Sequence, residues 1–243
     1  MSLARRASAE FAGTAMLVAA VVGSGIAANR LSPDDVGLQL LENAIATALA
    51  LGALILMFGP VSGAHFNPVV SAADWWLSRH TGAGLTVREL AGYAAAQVTG
   101  AVAGTVLADL MYGLPAVSWS HTDRTGSNLW LAEVVATAGL VVLVFALARS
   151  NRATAAPAAV GAYIGAAYWF TSSTSFANPA VTIGRAFTDT FAGIAPASVP
   201  GFVAAQFVGG LIAVAALAIW YPHAGRSADA LVVPHPTEEA VLR

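Results

Sequence analysis

Two Asn-Pro pairs are the residues of this chain best placed to act on a solute: Asn67-Pro68 in SGAHFNPVV and Asn178-Pro179 in SFANPAVTIG. Asn and Pro ordinarily punctuate surface turns, yet both pairs lie in stretches apolar enough to be buried. Asn is a strong N-cap, and Pro suits the first helical position because its missing N–H would be unpaired anyway. Each pair therefore predicts a helix that begins in an oily place, with the Asn side-chain N–H groups free to donate to a passing oxygen. Two carboxylates accompany them, Glu10 in AEFAGTAMLV and Glu133 in AEVVATAGLV. Acidic groups in apolar segments are functional candidates by default, and a proton-coupled transporter would use such a pair. His65 precedes the first Asn-Pro, and no other His lies at ligand spacing, so it reads as structural scaffold beside the Asn-Pro pair rather than a metal site. No nucleophile stands beside a base, and with no Cys thiolate chemistry and Cys-bound metals are excluded. The chain reads as a non-enzyme without cofactor or metal.

The surroundings of these residues are unusual. Of 243 residues, 57% are hydrophobic and only 10% charged, where a soluble domain carries roughly a quarter charged. Such a chain cannot cover its core with a polar shell, so lipid is its solvent. The net charge of −2 argues against a nucleic-acid partner. A hydrocarbon core of ~30 Å needs ~20 apolar residues in a helix. Six stretches qualify: 7–29, 38–59, 87–110, 128–149, 155–172 and 200–221. The first resembles a signal peptide, but Glu10 interrupts it and the pattern recurs at Glu133, so it reads as a retained span. Two further apolar pieces, 67–77 and 178–188, are half as long and would each span ~15 Å. The polar tail 223–243, with Pro234 and Pro236, reads as disordered.

The chain repeats itself. AEFAGTAMLV (9–18) matches AEVVATAGLV (132–141), HFNPVVS (65–71) matches FANPAVT (176–182), and GYAAAQVTGAVAG (92–104) matches GFVAAQFVGGLIA (201–213). Three matches in one order imply a duplicated unit, about 7–110 and 128–221, within a single domain over 1–243. Each copy holds three full spans, an odd number, so the copies lie in opposite orientations, as in several transport folds. Placing both termini in the cytoplasm leaves Arg5, Arg6, Arg79, Arg88, Arg149, Arg152, Arg226 and Arg243 inside, and only Arg30, Arg124 and Arg185 outside. That satisfies the positive-inside rule. Small residues at every fourth position (Gly92, Ala96, Gly100, Gly104 and Gly201, Ala205, Gly209, Ala213) mark packing faces where membrane helices approach closely.

Non-helical backbone survives at membrane depth only when buried in protein or lining a watery cavity. Two half-helices entering from opposite faces would meet at their N-termini, each presenting roughly half a positive charge. With SGAHFNPVV, SFANPAV and AEFAGT in hand, the chain resembles the aquaporin and aquaglyceroporin family of major intrinsic proteins over 7–221. The resemblance implies an all-α membrane protein of six spans plus two re-entrant half-helices in inverted repeat. It further implies a pore in each protomer and a homotetramer in a plasma membrane. Pore motifs would be Asn67, Pro68 and Val69, with Val where the family usually has Ala, and Asn178, Pro179 and Ala180. In this family residues matching Glu10 and Glu133 brace the re-entrant loops.

Most members of the family carry Arg directly after the second Asn-Pro-Ala, at the narrowest constriction; here that residue is Val181. Counting from the motifs puts the other filter positions at Thr47, Ala166 and Ser175, with Tyr168 the alternative to Ala166. Thr, Ala, Ser and Val make a small, weakly polar ring. Losing the guanidinium opens volume and deletes five donors and a permanent charge. The expectation is a wide pore for water and small neutral solutes such as glycerol. Arsenous acid joins them, because a hydrophobic residue in place of Arg resembles a bacterial branch associated with arsenic resistance. A water-selective aquaporin or a secondary transporter are the competing readings. Proton exclusion would rest on the half-helix dipoles. Arg185, four residues past Val181, either makes the outer mouth cationic or pairs with Asp189 at i+4.

Overall fold

The computed structural model describes residues 1–80 and 84–221; the tail expected over 223–243 lies outside the described residues. Eight α-helices follow one another: α1 Leu3–Leu31, α2 Val36–Ser62, α3 Pro68–Ser78, α4 Val87–Met111, α5 Ser127–Arg149, α6 Ala156–Phe170, α7 Pro179–Gly184 and α8 Val199–Trp220. No strand interrupts them among the described residues. Local chemistry sets several ends. Ser2 and Asp35 cap α1 and α2, and Thr86 and Glu89 form a reciprocal capping box on α4, satisfying N–H groups a helix start leaves unpaired. Gly63, at φ 89°, closes α2 in the left-handed region that glycine adopts freely.

Five helical stretches of the described residues are long and apolar enough to cross a membrane: Leu3–Leu31, Val36–Ser62, Val87–Met111, Ser127–Arg149 and Pro196–Trp220. The expected span at 155–172 is the exception. Its α-helix has 15 residues, or ~22 Å, because Pro157 seats its first turn and a 3-10 turn over Ala153–Ala155 replaces the helix before it. The second half-length piece is shorter too. Its α-helix ends at Gly184, and Arg185–Phe187 continue as a 3-10 turn.

Helix directions follow from side-chain ties. Arg6 meets Glu89 at 2.8 Å, and the Tyr93 hydroxyl donates to Ser62 O at 2.7 Å, so α1 and α4 start where α2 ends. Gly52 lies against Pro157 and Ala48 against Gly161, so α6 runs antiparallel to α2 and starts on the side where α2 ends, and Arg149 donates to Tyr221 O beyond the end of α8. All these ends share one face with the N-terminus. α3 starts in the interior and runs back to that face, where Asp74 accepts from Leu85 N at 2.8 Å. α7 also starts inside but runs to the opposite face, where Ser120 N donates to Ala186 O at 3.1 Å.

Helices α1 and α4 pack closely, as do α5 and α8. The small-residue stripes act at their centres. A Cβ on Gly104 would stand 2.2 Å from Ala15 O, and one on Gly209 2.5 Å from Val134 O, distances at which only hydrogen fits. Gly92, at the end of its stripe, has only ordinary contact with Leu3. Outward faces carry bare hydrocarbon such as Leu49, Leu56, Leu211 and Ile219, each at least 65% exposed, which suits lipid and not water.

Candidate functional site

The two Asn-Pro pairs meet in the interior and hold each other. Asn67 Oδ1 accepts from Val69 N at 2.9 Å, while its Nδ2 donates to Ala177 O at 2.7 Å. Asn178 mirrors it: Oδ1 accepts from Ala180 N at 2.9 Å, and Nδ2 donates to Phe66 O at 2.7 Å. Each Asn therefore caps its own helix and ties down the carbonyl that precedes the other. The expectation of wholly free amide donors is corrected accordingly. One N–H of each Nδ2 is spent on this cross-tie, and an amide has two. Both Asn side chains line a cavity.

Presenting those carbonyls requires unusual backbone. Phe66 and Ala177 sit at φ 50° and 48°, and Ala64 and Ser175 at 51° and 50°, a region that costs a non-glycine residue about 1–3 kcal/mol. The glutamates over-determine it. Glu10 accepts from Ser62 Oγ, His65 N, Phe66 N and Gln97 Nε2 at 2.6–3.0 Å. Glu133 accepts from Ser173 Oγ, Phe176 N, Ala177 N and Gln206 Nε2 at 2.6–2.9 Å. With four donors each, neither carboxylate has an oxygen directed at a solute. The glutamines continue the match: Gln97 also donates to Ser71 Oγ, and Gln206 to Thr182 Oγ1. His65 reaches Ser71 Oγ through Nδ1 at 3.1 Å and lines the cavity.

The cavity threads between α1, α2, α5 and α6, from Ala156 and Val144 past both Asn residues to Thr47 and Tyr168. Most of its wall is aliphatic, including Leu17, Leu51, Ile55, Leu140 and Val160. Polar groups are few, namely Thr47, His65, Asn67, Tyr168, Ser175 and Asn178. Thr47, Ser175 and Val181 share this wall; Ala166 does not, lying on an exposed face of α6. Two residues along a helix turn about 200°, and that turn brings Tyr168 to the cavity instead. Its hydroxyl lies 3.2 Å from Thr47 Oγ1. Of the two alternatives for the fourth position, Ala166 and Tyr168, the cavity wall holds Tyr168, which sets a phenol beside Thr47, Ser175 and Val181. Ser175 also lines the cavity, and its Oγ is buried without a protein partner among the described residues.

Arg185 departs from both expectations. Asp189 is taken by His121, which donates its backbone N at 2.9 Å and lies 3.0 Å away through Nδ1. That contact holds the Asp189 carboxyl below the usual range. Arg185 is not exposed at a mouth but buried, with its Cζ 3.5 Å from the centroid of the Phe176 ring. Phe176, which sequence reasoning passed over, lines the cavity. Its signal was the repeat itself, since Phe176 occupies the place of His65 in the first copy.

The family model for the major intrinsic proteins matches residues 1–175. Over 213 residues the chain is 53% identical to the aquaglyceroporin AqpS of Rhizobium meliloti, covering 88% of each chain. It is 32% identical to the aquaporin AqpM of Methanothermobacter marburgensis over 79% of this chain and 87% of that one. In fold it is similar to the X-ray structure of the aquaglyceroporin from Plasmodium falciparum, with a TM-score of 0.68 and 21% identity over 91% of this chain.

Proposed function

This chain belongs to the major intrinsic protein family, and on that premise we propose that it is a passive membrane channel for water and small neutral solutes, polyols above all. The observation that carries the solute class is the make-up of the cavity wall beside Val181. Tyr168, Phe176 and Val181 offer hydrocarbon and aromatic surface, while Thr47, Tyr168 and Ser175 offer hydroxyls, one of them unpartnered. A polyol has a C–H edge and an O–H edge, and a wall of this kind suits both. No guanidinium takes up space at Val181, so a molecule larger than water keeps its clearance there. Glycerol is the leading solute; arsenous acid, a neutral trihydroxy molecule, meets the same requirement.

In the membrane, α6 serves as the sixth crossing. Together with its leading 3-10 turn it reaches ~28 Å, against a core of ~30 Å. α3 and α7 serve as half-helices, and their apposed Asn-capped starts place two positive dipole ends in the path. The arginine distribution favours cytoplasmic termini, in a bacterial inner membrane. The bare apolar faces accommodate lipid and the neighbours of a homotetramer. Glu10 and Glu133 act as braces, which leaves no relay for a coupled transporter and favours a channel.

Stopped-flow measurement on reconstituted vesicles, comparing water, glycerol, urea and arsenous acid, tests this reading. Linear, non-saturating glycerol flux well above empty vesicles is expected. Saturable uptake that follows an ion gradient, or water flux with no solute flux, would overturn it.

A further inference from the structure

The pore wall at Val181 is uncharged, yet two guanidinium groups lie against Phe176 of the same wall. The α-helix that begins at Pro179 stops at Gly184, and the 3-10 turn that follows turns Arg185 inward. Its Nε donates to Ala192 O, and its Cζ sits over the Phe176 ring. Arg124 comes to the same ring from the loop before α5, with its Cζ 5.1 Å from the centroid and its Nε donating to Gly193 O at 3.0 Å. Adjacent carbonyls of one loop therefore hold two arginines against one aromatic side chain, and that side chain lines the pore.

Neither arginine has an acidic partner among the described residues. Among the described residues the ion pairs are Arg6 with Glu89 and His121 with Asp189. Asp123 is occupied by Thr125 and Ser198, and the nearest interior acid, Glu133, has its oxygens filled by four donors. Asp123 is exposed, where water and salt screen its charge; in the interior, two fixed cations against one braced anion leave a net positive charge behind the wall. Buried charges act through a medium of low dielectric and are poorly screened by salt.

We propose that Arg185, assisted by Arg124, is the charge-selecting element of this pore, repelling cations from behind Phe176 without narrowing the lumen. The proposal rests on the channel reading above. It separates two tasks that one filter arginine would combine: Val181 leaves room for neutral solutes, and Arg185 with Arg124 supplies the positive potential. Both are positioning residues in this sense, because neither lines the cavity.

Urea and guanidinium are planar probes of nearly the same size that differ in charge, so their flux ratio in proteoliposomes reads charge selection apart from pore width. The wild-type protein is expected to admit urea and exclude guanidinium. Arg185→Gln should raise the guanidinium-to-urea ratio roughly tenfold, the scale of a unit charge at such a distance. Arg124→Gln should move it in the same direction by less. If Arg185→Gln does not fold, Arg124→Gln, at a half-buried side chain, carries the test. An unchanged ratio in the glutamine variants that fold would overturn the proposal. So would a wild-type protein that admits guanidinium as freely as urea. Absence of both urea and glycerol flux in the wild type would instead defeat the channel reading itself.

Discussion

Thr47 on α2 and Tyr168 on α6 join their hydroxyls across 3.2 Å, and this contact makes the phenol part of the pore wall. Tyr168→Ala should remove the ring, widen the path and admit a four-carbon polyol such as erythritol several-fold faster. Tyr168→Phe, which keeps the ring and loses the hydroxyl, should leave that cutoff in place. Ala166→Leu, on the exposed face of α6, should change neither. Swelling assays with polyols of increasing length check all three, and a shifted cutoff in Ala166→Leu would return that residue to the pore.

The difference between Ala166 and Tyr168 shows what the sequence could and could not carry. Asn67, Asn178, Glu10, Glu133, Gln97 and Gln206 were legible because polar residues at matched places in an apolar chain need matched partners. α6 offered no such mark. A membrane helix is apolar all round, so no polar stripe shows which face turns inward, and the sequence left Ala166 and Tyr168 as alternatives two residues apart. Arg185 was opaque for another reason. Its i+4 relation to Val181 assumed a continuous helix, and the helix stops at Gly184.

Asn67 and Asn178 each serve two roles, so Ala at either should cost more than a cap alone. Loss of the cap costs about 0.5–2 kcal/mol, and the orphaned carbonyl of Ala177 or Phe66 about 1–3 kcal/mol more. Thermal unfolding in detergent should show a clear fall in midpoint for both variants, and flux per folded protein should fall as well. A wild-type midpoint in either variant would contradict the cross-tie.

Glu10→Gln and Glu133→Gln replace an acceptor oxygen by an amide that faces donors. Each should strand one or two buried N–H or O–H groups at about 1–3 kcal/mol apiece, lowering folded yield for both variants alike. Size-exclusion profiles of the two variants read this. Normal yield together with lost transport would point instead to an ion relay.

Helix spacing can be tested within one stripe. Gly104→Ala would place a methyl 2.2 Å from Ala15 O, forcing α1 and α4 apart at about 1–3 kcal/mol. Gly92→Ala meets Leu3 at 3.5 Å and should be close to neutral. Equal thermal midpoints for the two variants would refute the close approach of α1 and α4.

On the channel reading, it is the room left by the missing guanidinium at Val181 that lets solutes larger than water through. Val181→Arg restores a long cationic side chain to a wall shared with Thr47, Tyr168 and Ser175. The deciding measurement is paired water and glycerol permeability of purified wild type and Val181→Arg, normalised to folded protein in the same vesicles. The account predicts glycerol flux falling by roughly tenfold or more, since a guanidinium takes the clearance a polyol needs and offers five donors that water can use. Water flux should be largely kept. Unchanged glycerol flux beside a fall in water flux would contradict it and take Val181 out of the constriction.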